Sequence, residues 1–359
     1  MRIAVLFGTR PEVIKLAPVC HAFEQSSASE LVTISSGQHR EMVAPLLDWF
    51  QLNVTHDLAL MRPNQSPQSL LARAIDSLSE LLSQIAPDAL MVQGDTTTAL
   101  AGALAAYHLK IPVGHVEAGL RTNEFYSPFP EEANRSLISR ITSWHFAPTA
   151  RSANALKKES VPGTIQIVGN TVVDALEWTA KKLGPSSRQD RLVLVTAHRR
   201  ENFGAPIRDA LAGVQELARL FPEVTFVYPI HHNPNVYGVA REILSGVTNI
   251  RLVEPLPYPE MIDLLRHASL VISDSGGLQE EAPTFGVPVL ILRDSTERPE
   301  ILEAGLGRLV GTKKDLIVSE GSKVLNQTYD LNASKEAKNP YGDGFASQRI
   351  LKTIEAALP

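Results

Sequence analysis

The stretch Ile111-Pro-Val-Gly-His-Val-Glu-Ala-Gly-Leu-Arg-Thr122, with Ser127-Pro-Phe-Pro-Glu-Glu-Ala-Asn-Arg135 just behind it, decides how the chain is read. Its short apolar run reads as a buried strand ending at Glu117, and a Pro-rich loop then delivers Glu131 and Glu132 to the first turn of a helix. Acidic groups therefore arrive at the carboxyl edge of a sheet, which is where open α/β folds bind ligands.

Outward from this unit, short apolar strands alternate with amphipathic helices in both directions. Strands are expected near 2–7, 31–36, 88–93, 112–116, 143–147 and 164–168, then near 192–196, 224–229, 249–253, 269–273 and 287–292. That rhythm predicts an α/β protein built on parallel sheets with crossover helices. A chain of 359 residues exceeds the size of one growing core, so two domains are expected. The turn pair in Ile167-Val-Gly-Asn-Thr171, before a helix over 172–182, places their boundary: an N-terminal domain 1–168 and a second domain 169–344. After the turn cluster Asn339-Pro-Tyr-Gly-Asp-Gly344, a closing helix over 345–359 carries Ile350, Leu351, Ile354 and Leu358 on one face and is expected to pack back on the first domain. Two similar halves imply a cleft between them.

Composition bounds the function. Hydrophobic residues at 44% and charged residues at 20% describe a globular chain, and a net charge of −5 provides no basic field for nucleic acid or an anionic membrane. The single cysteine, Cys20, excludes an intrachain disulfide and, in an apolar helix without a neighbouring base, reads as core. No signal-peptide pattern follows Met1 and no apolar run has membrane-spanning length, so a cytoplasmic location is expected.

Several strand ends carry chemistry-bearing residues. Gly8-Thr-Arg-Pro-Glu-Val-Ile-Lys15 follows the first strand, with Pro11 suited to the first helical position; Arg10 and Lys15 there are either anion ligands at a helix N-terminus or plain surface cations. In the second half, Ser275, Gly276 and Gly277 form a turn whose amides suit a diphosphate, and Leu278-Gln-Glu-Glu-Ala282 opens a helix. Glu281, one turn in, is placed to accept from ribose hydroxyls; an ordinary Gly-Gly turn before a helix is the plainer account. His198, Arg199, Arg200 and Glu201 follow another strand and suit an anionic leaving group or proton transfer, or form a solvated charge run. Asp95 is a good N-cap for the helix after Gly94, and Glu131 suits the start of its helix, so both have structural roles that do not exclude catalytic ones. No His, Cys or carboxylate set has metal-ligand spacing, so no metal is expected.

Together, Gly8-Thr-Arg-Pro-Glu12, Gln38-His-Arg-Glu-Met42, Gly94-Asp-Thr-Thr-Thr98, His115-Val-Glu-Ala-Gly-Leu-Arg121, Pro130-Glu-Glu-Ala-Asn-Arg135, His198-Arg-Arg-Glu201 and Asp274-Ser-Gly-Gly-Leu-Gln-Glu-Glu281 resemble the non-hydrolysing UDP-N-acetylglucosamine 2-epimerases of bacteria. The resemblance runs from Arg2 to the closing helix. It implies two Rossmann-like domains with parallel sheets facing a central cleft, the glycosyltransferase-B arrangement, usually as a homodimer. The implied reaction interconverts UDP-N-acetylglucosamine and UDP-N-acetylmannosamine by elimination of UDP to 2-acetamidoglucal and re-addition, supplying surface polysaccharide synthesis without NAD or metal cofactor. Asp95, Glu117 and Glu131 match the family's essential carboxylates, and His198 matches a histidine important for activity. By the same carry-over, Arg10, Lys15, Ser275, Gly276 and Gly277 are diphosphate contacts and Glu281 the ribose contact. Many bacterial members bind a second, activating UDP-N-acetylglucosamine, and Gln38, Arg73, Glu132, Arg200 and His232 match residues around that site. Glu41 stands where several members have Gln, and its charge would oppose a diphosphate. The rival functions are a UDP-sugar transferase of the same architecture, a hydrolysing epimerase releasing N-acetylmannosamine, and a non-catalytic nucleotide-sugar sensor.

Overall fold

The computed structural model describes residues 1–62, 65–185, 191–231, 233–326 and 338–358. The chain forms two compact units, Met1–Ala175 joined by Tyr341–Pro359, and Leu176–Pro340.

In the first unit the strands are β1 (Arg2–Phe7), β2 (Glu30–Ser35), β3 (His56–Asp57), β4 (Ala89–Gln93), β5 (Val113–Val116), β6 (Trp144–Ala147) and β7 (Thr164–Ile167). They make one parallel sheet in the order β3-β2-β1-β4-β5-β6-β7. The helices are α1 (Arg10–Gln25), α2 (Arg40–Phe50), α3 (Pro67–Ile85), α4 (Thr97–His108), α5 (Glu131–Ser139), α6 (Ala150–Lys158) and the start of α7 (Thr171–Leu183), whose residues from Leu176 on fall in the second unit. Ile3 to Phe7 and Ala89 to Val92 are wholly buried, as strands covered on both faces must be. The Ala-rich α4 lies close on β1, since a Cβ at Gly102 would stand 2.3 Å from Leu6 Cδ2.

The second unit holds β8 (Leu192–Thr196), β9 (Thr225–Pro229), β10 (Ile250–Val253), β11 (Ala268–Ser273), β12 (Val289–Ile291) and β13 (Gly307–Leu309), parallel in the order β10-β9-β8-β11-β12-β13. Its helices are α8 (Ala205–Leu220), α9 (Pro234–Leu244), α10 (Tyr258–His267), α11 (Gly276–Glu281), α12 (Glu300–Glu303) and α13 (Lys314–Leu325). The α/β class and parallel sheets expected from the alternating pattern are present in both units.

The edge strands β3 and β13 escape the sequence reading. One is two polar residues long and the other centres on Arg308, so neither contains an apolar run. The fifth strand stops at Val116, and Glu117 lies just beyond it with φ +63°. The helix after Ser275 starts at Gly276, so both glycines are helical rather than a preceding turn, and Glu281 is its last residue.

The closing helix, Ala346–Ala357, belongs to the first unit. Its own N-cap, Phe345, offers no side-chain acceptor. Asp174 of α7 serves instead, accepting from Ser347 N (2.8 Å), Ser347 Oγ (2.6 Å) and Ala346 N (3.2 Å). Thr353 donates to Gln166 and Ser26 to Glu355, tying the helix to β7 and to the end of α1. No helix among the described residues is long and apolar enough to cross a membrane.

Candidate active site

In each sheet two neighbouring strands send their chains in opposite directions, β1 and β4 in the first unit and β8 and β11 in the second. Loops diverge at such a switch point and open a crevice at the carboxyl ends of the strands.

At the first switch point the loops are Gly8-Thr9 and Gly94-Asp95-Thr96. The fully buried Glu12 joins them: Oε2 accepts from Gly8 N (2.9 Å) and Thr9 N (2.7 Å), and Oε1 from the Thr96 hydroxyl (2.6 Å). Burial pushes the Glu12 carboxyl up from its ordinary value, opposed by these hydrogen bonds. Thr96, not Asp95, caps α4, its hydroxyl accepting from Ala99 N at 3.0 Å. Asp95 is drawn elsewhere, because Arg135 of α5 donates to its Oδ2 through Nη2 (2.5 Å) and Nε (3.0 Å). Asn134 holds the Asp95 carbonyl at 2.8 Å, and the His115 ring bonds the Gly94 carbonyl at 2.7 Å.

Glu117, 8% exposed, receives Lys15 Nζ at 2.5 Å, Asn170 Nδ2 at 3.3 Å and a short bond from Gln93 Nε2. Lys15, read as a diphosphate ligand, is thus an ion-pair partner of Glu117 here. Glu131 opens α5 as expected, and its Oε2 is buried with no hydrogen-bond partner. A carboxylate oxygen so placed can accept a proton without first releasing a protein donor. Arg10 starts α1 at the end of β1, half-buried; the helix begins there, one residue before Pro11.

At the second switch point, Asp274 follows β11 and is completely buried. Its Oδ2 accepts from His198 N (2.9 Å), Arg199 N (2.9 Å) and Asn202 Nδ2 (3.1 Å), fixing the loop after β8. The His198 side chain is 42% exposed and stacks on His231, with centroids 5.9 Å apart at 12°. Desolvation lowers the His198 pKa, with Asp274 opposing and His231 and Arg199 reinforcing. Ser275 N donates to Ser273 Oγ at 2.9 Å, and a Cβ at Gly276 would meet the Arg298 guanidinium at 2.7 Å. That guanidinium is held by Glu280 (2.5 Å) and Glu297 (3.1 Å), so position 276 has room only for glycine. The Glu281 carboxylate lies near Gly277, 3.5 Å from where its Cβ would be.

The residues matched to a second nucleotide-sugar site are differently disposed. Gln38 Oε1 accepts from the Thr98 hydroxyl at 2.9 Å, at the start of α4. Arg73 is spent on Ser69 (2.7 Å), the Leu60 carbonyl (3.2 Å) and Gln65. Glu132 is 3% exposed, accepts from Thr122 N and Asn123 N, and pairs with Arg135 at 3.1 Å. Glu41 is exposed in the first turn of α2, and Arg200 is exposed in a short 3-10 turn. His232 lies outside the described residues. Among the described residues no group of three or more His, Cys, Asp or Glu is disposed to hold a metal ion.

A family model described as UDP-N-acetylglucosamine 2-epimerase matches residues 21–355. The UDP-N-acetylglucosamine 2-epimerase of Yersinia pestis is 44% identical over 370 aligned positions, covering 99% of this chain and 98% of the relative. The chain belongs to the UDP-N-acetylglucosamine 2-epimerase family. A solved member, the Neisseria meningitidis UDP-GlcNAc 2-epimerase bound to UDP-GlcNAc, superposes with a TM-score of 0.92 at 42% identity, covering 99% of this chain and 100% of that one. MurG of Acinetobacter baumannii, at 13% identity and a TM-score of 0.64, shares the fold alone.

For this member of the epimerase family, the sequence motifs mark both switch points but leave out what holds them. Glu12, Arg135 and Asp274 stand inside the quoted motifs without an assigned role, and Gln93 and Asn170 were missed as Glu117 ligands. Thr9 to Glu12 has capping-box spacing, which is readable; the other contacts join segments far apart in the chain.

Proposed function

We propose that this protein inverts carbon 2 of UDP-N-acetylglucosamine to give UDP-N-acetylmannosamine, reversibly, by elimination and re-addition of UDP. The C2 proton of the sugar is poorly acidic because no carbonyl is attached to that carbon, so simple abstraction and return would face a high barrier. In the proposed path a carboxylate takes the C2 proton as the C1–O bond to the diphosphate breaks. The electron pair leaves with UDP, and 2-acetamidoglucal remains. UDP then adds back at C1 while a proton is delivered to C2 from the opposite face. No hydride acceptor is consumed.

The observation that carries this reading is that Asp95 and Glu117 follow the neighbouring strands β4 and β5, and Glu131, with a bare buried oxygen, opens the helix after β5, in a chain of this family. Such carboxylates supply acid and base. In our assignment Arg10 and Lys15 stabilise the departing diphosphate, Ser275, Gly276 and Gly277 hold it, Glu281 binds the ribose, and His198 assists proton movement. Lys15 would exchange its Glu117 contact for phosphate, releasing Glu117 for chemistry. By the same family reading the enzyme acts as a cytoplasmic homodimer supplying surface polysaccharide synthesis.

The test is proton NMR of the protein with UDP-N-acetylglucosamine in heavy water. The manno epimer carrying deuterium at C2, with the nucleotide still attached, is expected. Free N-acetylmannosamine and UDP would instead establish the hydrolysing reaction, and transfer to an acceptor the transferase. No exchange in a folded, UDP-binding protein overturns the proposal.

A further inference from the structure

We propose that Asp274 is a positioning residue that fixes which ring nitrogen of His198 carries the proton. Its two oxygens have different duties. Oδ2 takes the three donors described above, two of them backbone amides of the loop that carries His198. Oδ1 is buried, has no hydrogen-bond partner and stands 3.4 Å from His198 Nδ1.

A buried carboxylate oxygen without a donor is unfavourable, and Nδ1 is the ring atom beside it. With the proton on Nδ1, an N–H faces that oxygen and Nε2 keeps its lone pair. With the proton on Nε2, the Nδ1 lone pair would face, across 3.4 Å, the charged oxygen of a carboxylate that is itself fully buried, and the two would repel. The first arrangement is favoured, so Nε2 is left as the proton-accepting atom. The other charged or titratable groups around the ring do not reverse this choice. His231 stacks flat against His198, and its own Nδ1 accepts from Asn233 N at 3.1 Å; Arg199 contributes positive charge, which makes the ring harder to protonate. Because Asp274 immediately precedes Ser275, the N-cap of α11, the strand end that leads into Ser275, Gly276 and Gly277 also sets the histidine tautomer.

The tautomer assignment stands on geometry alone, whereas its effect on turnover rests on the proposed epimerase chemistry. Both are tested with full-length protein labelled with ¹⁵N-histidine, the His198 signals being those lost in His198→Ala. Wild type is expected to show the protonated nitrogen at Nδ1. Asp274→Asn retains one oxygen for the three loop donors but turns an NH₂ toward Nδ1, so the proton is expected to move to Nε2. The kcat is then expected to fall by about 10²–10⁴-fold with little change in KM. In a His198→Ala background the same change should cost no further kcat. A wild-type proton on Nε2 overturns the proposal, and this spectrum decides the tautomer even if Asp274→Asn does not fold. An unchanged tautomer in the folded variant, or a reversed tautomer with unchanged kcat, overturns it as well. A wild type that holds Nδ1–H yet does not epimerise refutes the proposed function and leaves the tautomer assignment standing.

Discussion

Asp95 shows how much a single residue depends on surroundings that sequence does not display. Its place after a buried strand is legible, and so is its fitness to cap the next helix. Its actual partner, Arg135, lies 40 positions away on α5 and takes the carboxylate from the cap, which falls to Thr96. A carboxylate gripped through one oxygen keeps the other available for chemistry. Asp95→Asn retains an oxygen for both Arg135 donors, and Glu132 still pairs with the guanidinium, so the fold should persist. The kcat should nevertheless fall by about 10²–10⁴-fold, since an amide cannot exchange the proton. Circular dichroism and initial rates on the same preparation check both halves. A folded variant with wild-type turnover would remove Asp95 from the mechanism.

At the scale of elements, α1 sets the site. Glu12 ties the loop after β1 to the loop after β4, and Lys15, three residues on, reaches Glu117 at the end of β5. One rigid helix therefore references two of the three carboxylates. Removing the Glu12 side chain leaves two amides and a hydroxyl unpaired in a buried place, at about 1–3 kcal/mol for each group that water cannot reach. Glu12→Ala should lower both the unfolding midpoint and the kcat of the folded fraction. Glu12→Gln should recover both, because its carbonyl can take the Gly8 and Thr9 amides while its NH₂ donates to Thr96 Oγ1. Denaturant titration beside active-site-normalised rates makes the comparison. Full kcat in folded Glu12→Ala would show that the tie is structural only. The capping-box half of this device is local and readable at Thr9-Arg-Pro-Glu12. The Thr96 half spans 84 positions and is not.

Over the whole molecule, the buried histidines couple the first sheet to pH. His115 and His145 face each other in register on β5 and β6, and burial lowers both pKa values, that of His115 to about 3. The unfolded His115 titrates near its ordinary 6.5, so between that value and about 3 the unfolded chain holds a proton that the native state refuses. The native state is therefore fully favoured with respect to this group above pH 6.5 and loses ground as pH falls, by up to about 1.4 kcal/mol per pH unit. His115→Gln, which retains a donor for the Gly94 carbonyl, should flatten the decline in denaturation midpoint from pH 6.5 to 4.5. Parallel profiles for the two proteins would show that burial of His115 carries no such cost.

The sequence by itself determined the α/β class, the long strands and helices, and the acidic and glycine residues that follow strand ends, because periodicity and turn chemistry act over a few residues. Its motifs also carried the family resemblance. Only the tertiary structure decided that β1 lies beside β4 and β8 beside β11, and therefore that Glu12 meets Thr96 and Asp274 meets the backbone of His198. Sheet order follows from how distant crossover units pack, and a buried polar group takes whatever partner that packing brings within reach. Neither is a property of any short stretch of chain.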